Sequence, residues 1–122
     1  MRKITLDEFR SELKSQGQPR EDAAFVCPMC GTVQSAKSLI AAGAGKSFEE
    51  VETKLGYSCV GRWLGSPAPR KKPDGKPCNW TLGGLFRLHA LEVTGPDGED
   101  HPFFEIATIE QAERLAAIGD AP

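Results

Sequence analysis

Four cysteines spaced C-x2-C-x28-C-x18-C constrain this 122-residue chain more than any other feature. The first two lie in Phe25-Val26-Cys27-Pro28-Met29-Cys30-Gly31, a turn closed by glycine that presents both sulfurs on one side of a tight bend. Such a knuckle is half of a tetrahedral zinc site, in which Zn–S bonds of about 2.3 Å converge from two places in the chain. Cys59 and Cys78 are the remaining cysteines and complete a four-thiolate set. The expectation is one structural Zn2+ held by Cys27, Cys30, Cys59 and Cys78. Four thiolates saturate the metal and leave no position for a water nucleophile, which argues against metal catalysis.

Three other readings fit the same cysteines. Two disulfides belong to an oxidising compartment. A redox-active Cys27/Cys30 pair calls for a βαβ setting that the neighbouring residues lack, and it leaves Cys59 and Cys78 unexplained. A mixed site would exchange one sulfur for His89 or His101.

The chain opens Met1-Arg2-Lys3-Ile4-Thr5-Leu6-Asp7 with no apolar leader, and no run of about 18 apolar residues follows. A cytosolic protein is expected, the setting in which four cysteines ligate metal rather than pair. Length and an ordinary balance of apolar and charged residues suit one globular domain.

Helix signals are plain. Thr5-Leu6-Asp7-Glu8 reads as a capping box before an apolar stripe of Leu6, Phe9 and Leu13, with Ile4 and Phe9 as a hydrophobic staple. Residues 35–42 favour helix and stop at Gly43. Ser47-Phe48-Glu49-Glu50 reads as a second capping box, with Phe48, Val51 and Leu55 on one face. Thr108-Ile109-Glu110-Gln111 reads as a third, starting a helix to Gly119 whose buried stripe is Ile109, Ala112, Leu115 and Ile118. Strands are expected at Ala23–Val26, at Tyr57–Trp63, around Cys78, and in a hairpin over 88–107 turning at Gly95-Pro96-Asp97-Gly98.

The predicted fold is a small α+β domain over residues 1–122: a zinc-tethered, zinc-ribbon-like antiparallel sheet covered by short helices. Its parts are an N-terminal helix and connection (1–22), a zinc-bound sheet (23–107) and a C-terminal helix (108–122). The sheet segment carries a helical insertion (35–55) and a basic loop (65–77).

Net charge is −2, but the charge is segregated. Residues 59–80 carry five basic side chains against Asp74, whereas residues 81–122 carry eight acids against Arg87 and Arg114. The basic stretch, Arg62, Arg70, Lys71, Lys72 and Lys76 with Trp63 and Trp80 at its ends, is the candidate binding surface for nucleic acid or another partner. Cations neutralise phosphates and rings stack on exposed bases. The competing reading is a solvated loop beside tryptophans packed around the metal core. Ala42-Gly43-Ala44-Gly45-Lys46-Ser47 ends like a phosphate-binding loop, but the position needing the first glycine is Ile40, and helix rather than strand precedes it. A helix stop followed by the Ser47 cap accounts for it. No partnered nucleophile stands near His89 or His101, so no enzyme is expected.

The succession Cys27-Pro28-Met29-Cys30-Gly31, Leu55-Gly56-Tyr57-Ser58-Cys59-Val60-Gly61-Arg62 and Pro77-Cys78-Asn79-Trp80-Thr81-Leu82-Gly83-Gly84-Leu85 resembles a family of small four-cysteine proteins of unassigned function encoded in bacteriophage and prophage genomes. The resemblance runs from about Phe25 through the last helix and implies expression in a bacterial host cytoplasm. It brings no catalytic residues. The expected function is therefore a non-enzymatic accessory protein that binds and modulates a host protein, such as a defence or nucleic-acid-processing component. The alternative is a zinc-ribbon nucleic-acid-binding protein using the 65–77 loop. Neither a membrane nor a small-molecule substrate is expected.

Overall fold

The structure, a computed structural model, describes residues 2–69, 75–81 and 91–119. Within them the chain is α+β, with four short helices and two small three-stranded sheets. Strand β1 (Arg2–Thr5) runs straight into helix α1 (Leu6–Ser15). The Thr5 capping box forms as expected: the Glu8 amide donates to Thr5 Oγ1 at 3.2 Å and the Thr5 amide to Glu8 Oε1 at 3.0 Å. Ile4 and Phe9, the staple pair, are both buried in the main core.

The first sheet has the order β1-β4-β5 and is mixed. Strand β1 lies parallel to β4 (Leu91–Thr94), pairing Ile4 with Val93, and β5 (Asp100–Phe103) returns antiparallel as the expected hairpin. The second sheet, β3-β2-β6, is antiparallel throughout. It joins β2 (Ala24–Val26), β3 (Val33–Ser35) and β6 (Glu105–Ile106). The second arm of the hairpin is therefore not one strand, as its alternation suggested. It divides at Phe104, which is fully buried and donates its amide to Gly56 O at 2.7 Å instead of to a ladder. One residue carries the chain from one sheet to the other.

The segment expected as a strand at Tyr57–Trp63 is not one. A single bridge, Ser58 to Thr81, and the bond from the Cys59 amide to Trp80 O at 2.8 Å join it to the Cys78 segment. The chain then turns through a 3-10 helix, Val60–Trp63. Crowding dictates the turn: a Cβ on Gly61 would lie 2.2 Å from Cys78 O, so the two backbones meet directly there. Extended β-branched residues could not make that approach.

Helix α2 (Ala36–Ala41) starts from a capping box with serine in both roles, Ser35 and Ser38. Helix α3 (Phe48–Val51) is a single turn. Ser47 caps it, but Glu50 turns to the Lys46 amide, so the reciprocal half of that capping box does not form. Val51 and Leu55 are buried and Phe48 half-buried, the face expected. Helix α4 (Ile109–Gly119) carries the reciprocal Thr108–Gln111 cap. It buries Ala112 in a small cluster with Ala24 and Ala107, against which Leu115 packs; Ala116 is also buried, while Ile109, expected in the stripe, is exposed. The side chain of Ile118 lies outside the described residues.

The main core contains the four cysteines together with Phe25, Leu39, Val51, Leu91 and Phe104. Gln16, 2% exposed, ties α1 to this frame. Its amide nitrogen donates to Ala24 O and Ala107 O at 3.0 and 2.9 Å, and its oxygen accepts from the Ala24 amide at 2.9 Å. Among the described residues no helix is long and apolar enough to cross a membrane.

Candidate metal centre

Three parts of the chain deliver the sulfurs. Strands β2 and β3 are joined by the Cys27–Gly31 knuckle, closed by bonds from the Gly31 amide to Cys27 O at 2.9 Å and from the Cys27 amide to Thr32 O at 3.0 Å. Gly31 sits at φ 80°, where a side chain would be strained. Cys59 enters just before the 3-10 turn, and Cys78 enters on the return from the basic loop. The bridge at Ser58 and Thr81, whose hydroxyls are 3.1 Å apart, sets the last two cysteines side by side.

All four sulfurs lie within 4.8 Å of one another and are buried. Cys27 and Cys78 are separated by 3.9 Å and Cys30 and Cys59 by 3.7 Å, Sγ to Sγ. A disulfide would need about 2.05 Å, so all four thiols are free. A tetrahedron with metal–sulfur bonds of about 2.3 Å has edges of about 3.8 Å. The cluster thus has the size and donor chemistry of a tetrathiolate site and could hold a metal ion.

The surroundings favour negative sulfur at one corner. The neighbouring Cys27 thiol, with backbone N–H groups of Cys78 and Gly61 and the Gln34 amide, holds the Cys59 thiol well below its ordinary range. The nearness of Cys59, together with burial, pushes Cys27 up, and burial pushes Cys78 up. Four buried thiols cannot all ionise in each other's company unless a cation at the centre were to replace their protons.

Gln34 is the residue that inspection of the cysteines missed. It is 1% exposed. Its Nε2 donates to Cys59 Sγ at 3.5 Å and Thr32 O at 3.4 Å, while its Oε1 accepts from the Val60 amide at 2.7 Å. The amide is thus oriented by backbone and aimed at sulfur. Thr32 Oγ1 stands 3.1 Å from Cys30 Sγ. A polar β3 residue carries no signature in sequence. Gly61 does, since it stands two residues after Cys59, much as Gly31 follows Cys30.

His101 stands apart from the sulfurs. His101 groups with Asp97 and Glu99 on the exposed hairpin turn rather than with the sulfurs. His89 falls outside the described residues. In the Gly43–Ser47 stretch, the amides of Gly43, Ala44 and Lys46 are spent on Ile40 O, Leu39 O and Glu50 Oε2. Gly45 abuts Glu50 and Val51. The helix-stop and cap reading accounts for these contacts.

Of the proposed binding surface, Arg62 and Lys76 are exposed. Trp63 and Trp80 are half-buried and packed against the main core. Lys54 Nζ lies 5.7 Å from the centre of the Trp63 ring. Arg70, Lys71 and Lys72 lie outside the described residues.

No curated protein and no solved structure shows a significant match to this chain. A family description, VVA0879-like, matches residues 5–107, which takes in α1, strands β2 to β6 and all four cysteines. The chain therefore belongs to the VVA0879-like family.

Proposed function

We propose that Cys27, Cys30, Cys59 and Cys78 hold one structural Zn2+, and that the domain it secures is a non-enzymatic binding protein. The observation that carries this reading is the buried, closed set of four sulfurs at tetrahedral spacing. Tetrathiolate sites of this kind supply folding energy and offer no open coordination position. With the metal saturated, activity rests on the surfaces that it holds in place. Following the resemblance of its cysteine setting to phage and prophage proteins, we assign the chain an accessory role in a bacterial host, binding and modulating a host protein.

Metal analysis of protein purified without added metal, followed by capture from host lysate with and without nuclease, tests both halves. One zinc per chain and a reproducible, nuclease-resistant protein partner are expected. Folded, metal-free protein with four reactive thiols overturns the zinc assignment, and capture that returns no specific protein overturns the binding role.

Nucleic-acid binding is the second reading and draws on exposed Arg62 and Lys76. The packing of Trp63 and Trp80 against the core weakens it, because a stacking platform needs a free ring face. A gel shift that weakens with salt would favour it.

A further inference from the structure

We infer that the trough between α1 and residues 48–55 is the docking site for a short segment of a partner protein, with apolar anchors flanked by carboxylates. The inference rests on the protein-binding role and names its surface. A hollow of about 700 Å³ is lined by the side chains of Phe9, Leu13, Phe25, Phe48, Leu55 and Phe103. Phe9, Phe25 and Phe103 form a ring cluster, with centroids 4.9 Å apart for Phe9–Phe103, 6.0 Å for Phe9–Phe25 and 6.5 Å for Phe25–Phe103. Such a floor is preformed and apolar, the usual character of a recognition pocket.

Its extent accommodates a chain segment. A second hollow of about 260 Å³ shares Glu52, Thr53, Leu55 and Phe103 with the first and extends it toward Tyr57 and His101. The two together make an elongated trough, suited to successive anchors of a peptide. A membrane surface would need the apolar residues on a projecting face, not in a concavity.

Charge selects which peptide. Arg10 and Lys14, four residues apart on α1, both line the trough and are exposed. No ion pair or hydrogen bond engages either side chain among the described residues. Arg20, by contrast, is committed: it lies 4.3 Å above the Phe48 ring and pairs with Glu21 and Glu49 at 3.1 and 3.0 Å. The rim thus offers two uncommitted cations beside aromatic anchors. Glu52, exposed farther along, favours a segment that is acidic toward α1 and neutral or basic at its other end.

The test is a peptide-display selection on the intact, metal-loaded protein. Synthetic versions of the selected peptides are then titrated by fluorescence polarisation against wild type, Leu13→Glu and the double variant Arg10→Glu with Lys14→Glu. The double variant changes only exposed side chains, so it keeps the test valid if Leu13→Glu does not fold; metal content serves as the check on folding. Expected are peptides with two or more large apolar residues and neighbouring Asp or Glu. Leu13→Glu should abolish their binding, and the charge reversal should weaken it roughly two- to thirtyfold, as two exposed ion pairs imply. Peptides without an acidic bias, or binding unchanged in both variants, overturn the docking site while leaving the protein-binding role standing. An empty selection also overturns the site, and the lysate capture then decides the broader role independently. Concentration-dependent dimerisation abolished by Leu13→Glu would assign the trough to a second copy and overturn the inference.

Discussion

Replacing Gln34 by methionine separates the cysteines from the residue that supports them. Methionine nearly conserves volume, so the change removes hydrogen bonds without opening a large cavity. Two losses follow. The Val60 amide, which gives a 2.7 Å bond to Gln34 Oε1, is left buried and unpaired, at about 1–3 kcal/mol. Cys59 Sγ loses its 3.5 Å donor, and loss of a support of this kind weakens a metal site about 10–100-fold. Together they amount to roughly 2–6 kcal/mol. With a urea slope of about 2 kcal/mol per molar, the unfolding midpoint should fall by about 1–3 M.

Gln34→Glu separates the two effects. It keeps an acceptor for Val60 but turns a carboxylate oxygen toward sulfur, so it should weaken metal binding more than methionine does while harming the Val60 contact less. Competition with a chromogenic chelator reads the first effect and urea unfolding of the loaded protein reads the second. Overlaying curves for wild type and Gln34→Met in both assays would refute the idea that the second layer of the site bears on metal binding.

Other expectations are more direct. Stripping the metal should unfold most of the domain, because the four sulfurs sit inside the main core; loss of near-ultraviolet circular dichroism on chelation, restored by Zn2+, checks this. Metal affinity should fall as pH falls, since each thiolate recovers a proton on release, whereas a chelator curve independent of pH would exclude thiolate ligation. Gly61→Ala forces a Cβ to within 2.2 Å of Cys78 O and should cost about 3 kcal/mol or more, read as a lowered urea midpoint. Gln16→Met, which leaves the Ala24 amide without its acceptor and removes a donor from the Ala24 and Ala107 carbonyls, the former still held by the Ala107 amide, should cost about 2–4 kcal/mol by the same measure; a midpoint within experimental error of wild type would count against Gln16 as a structural tie.

What could be read from the residues alone was local chemistry. The cysteine set, the caps at Thr5 and Thr108, and the hairpin turn each need only a few neighbouring side chains, and each forms. Elements decided by distant partners were not legible. Strand β1 holds one buried residue, Ile4, and exists because β4 runs alongside it, nearly ninety positions away. The Ser35 capping box escaped a search for Glu or Gln because Ser38 fills that role. At Tyr57–Trp63 the apolar alternation was outweighed by the approach of Gly61 to the Cys78 backbone. Gln16 and Gln34 look like surface amides in sequence. Both are buried because each satisfies backbone groups that no strand neighbour serves.

The single-residue passage at Phe104 has a consequence for how the molecule opens. Its amide is held by Gly56, three residues before Cys59, while its neighbours Phe103 and Glu105 belong to different sheets. Neither sheet can release that stretch of chain without disturbing the other or the approach to the sulfurs. In hydrogen exchange, the Phe104 amide should therefore open with the global transition of the loaded protein rather than by local fraying. Removing the metal should lower protection at Phe104 and at Leu91–Thr94 together, although β4 contributes no sulfur ligand.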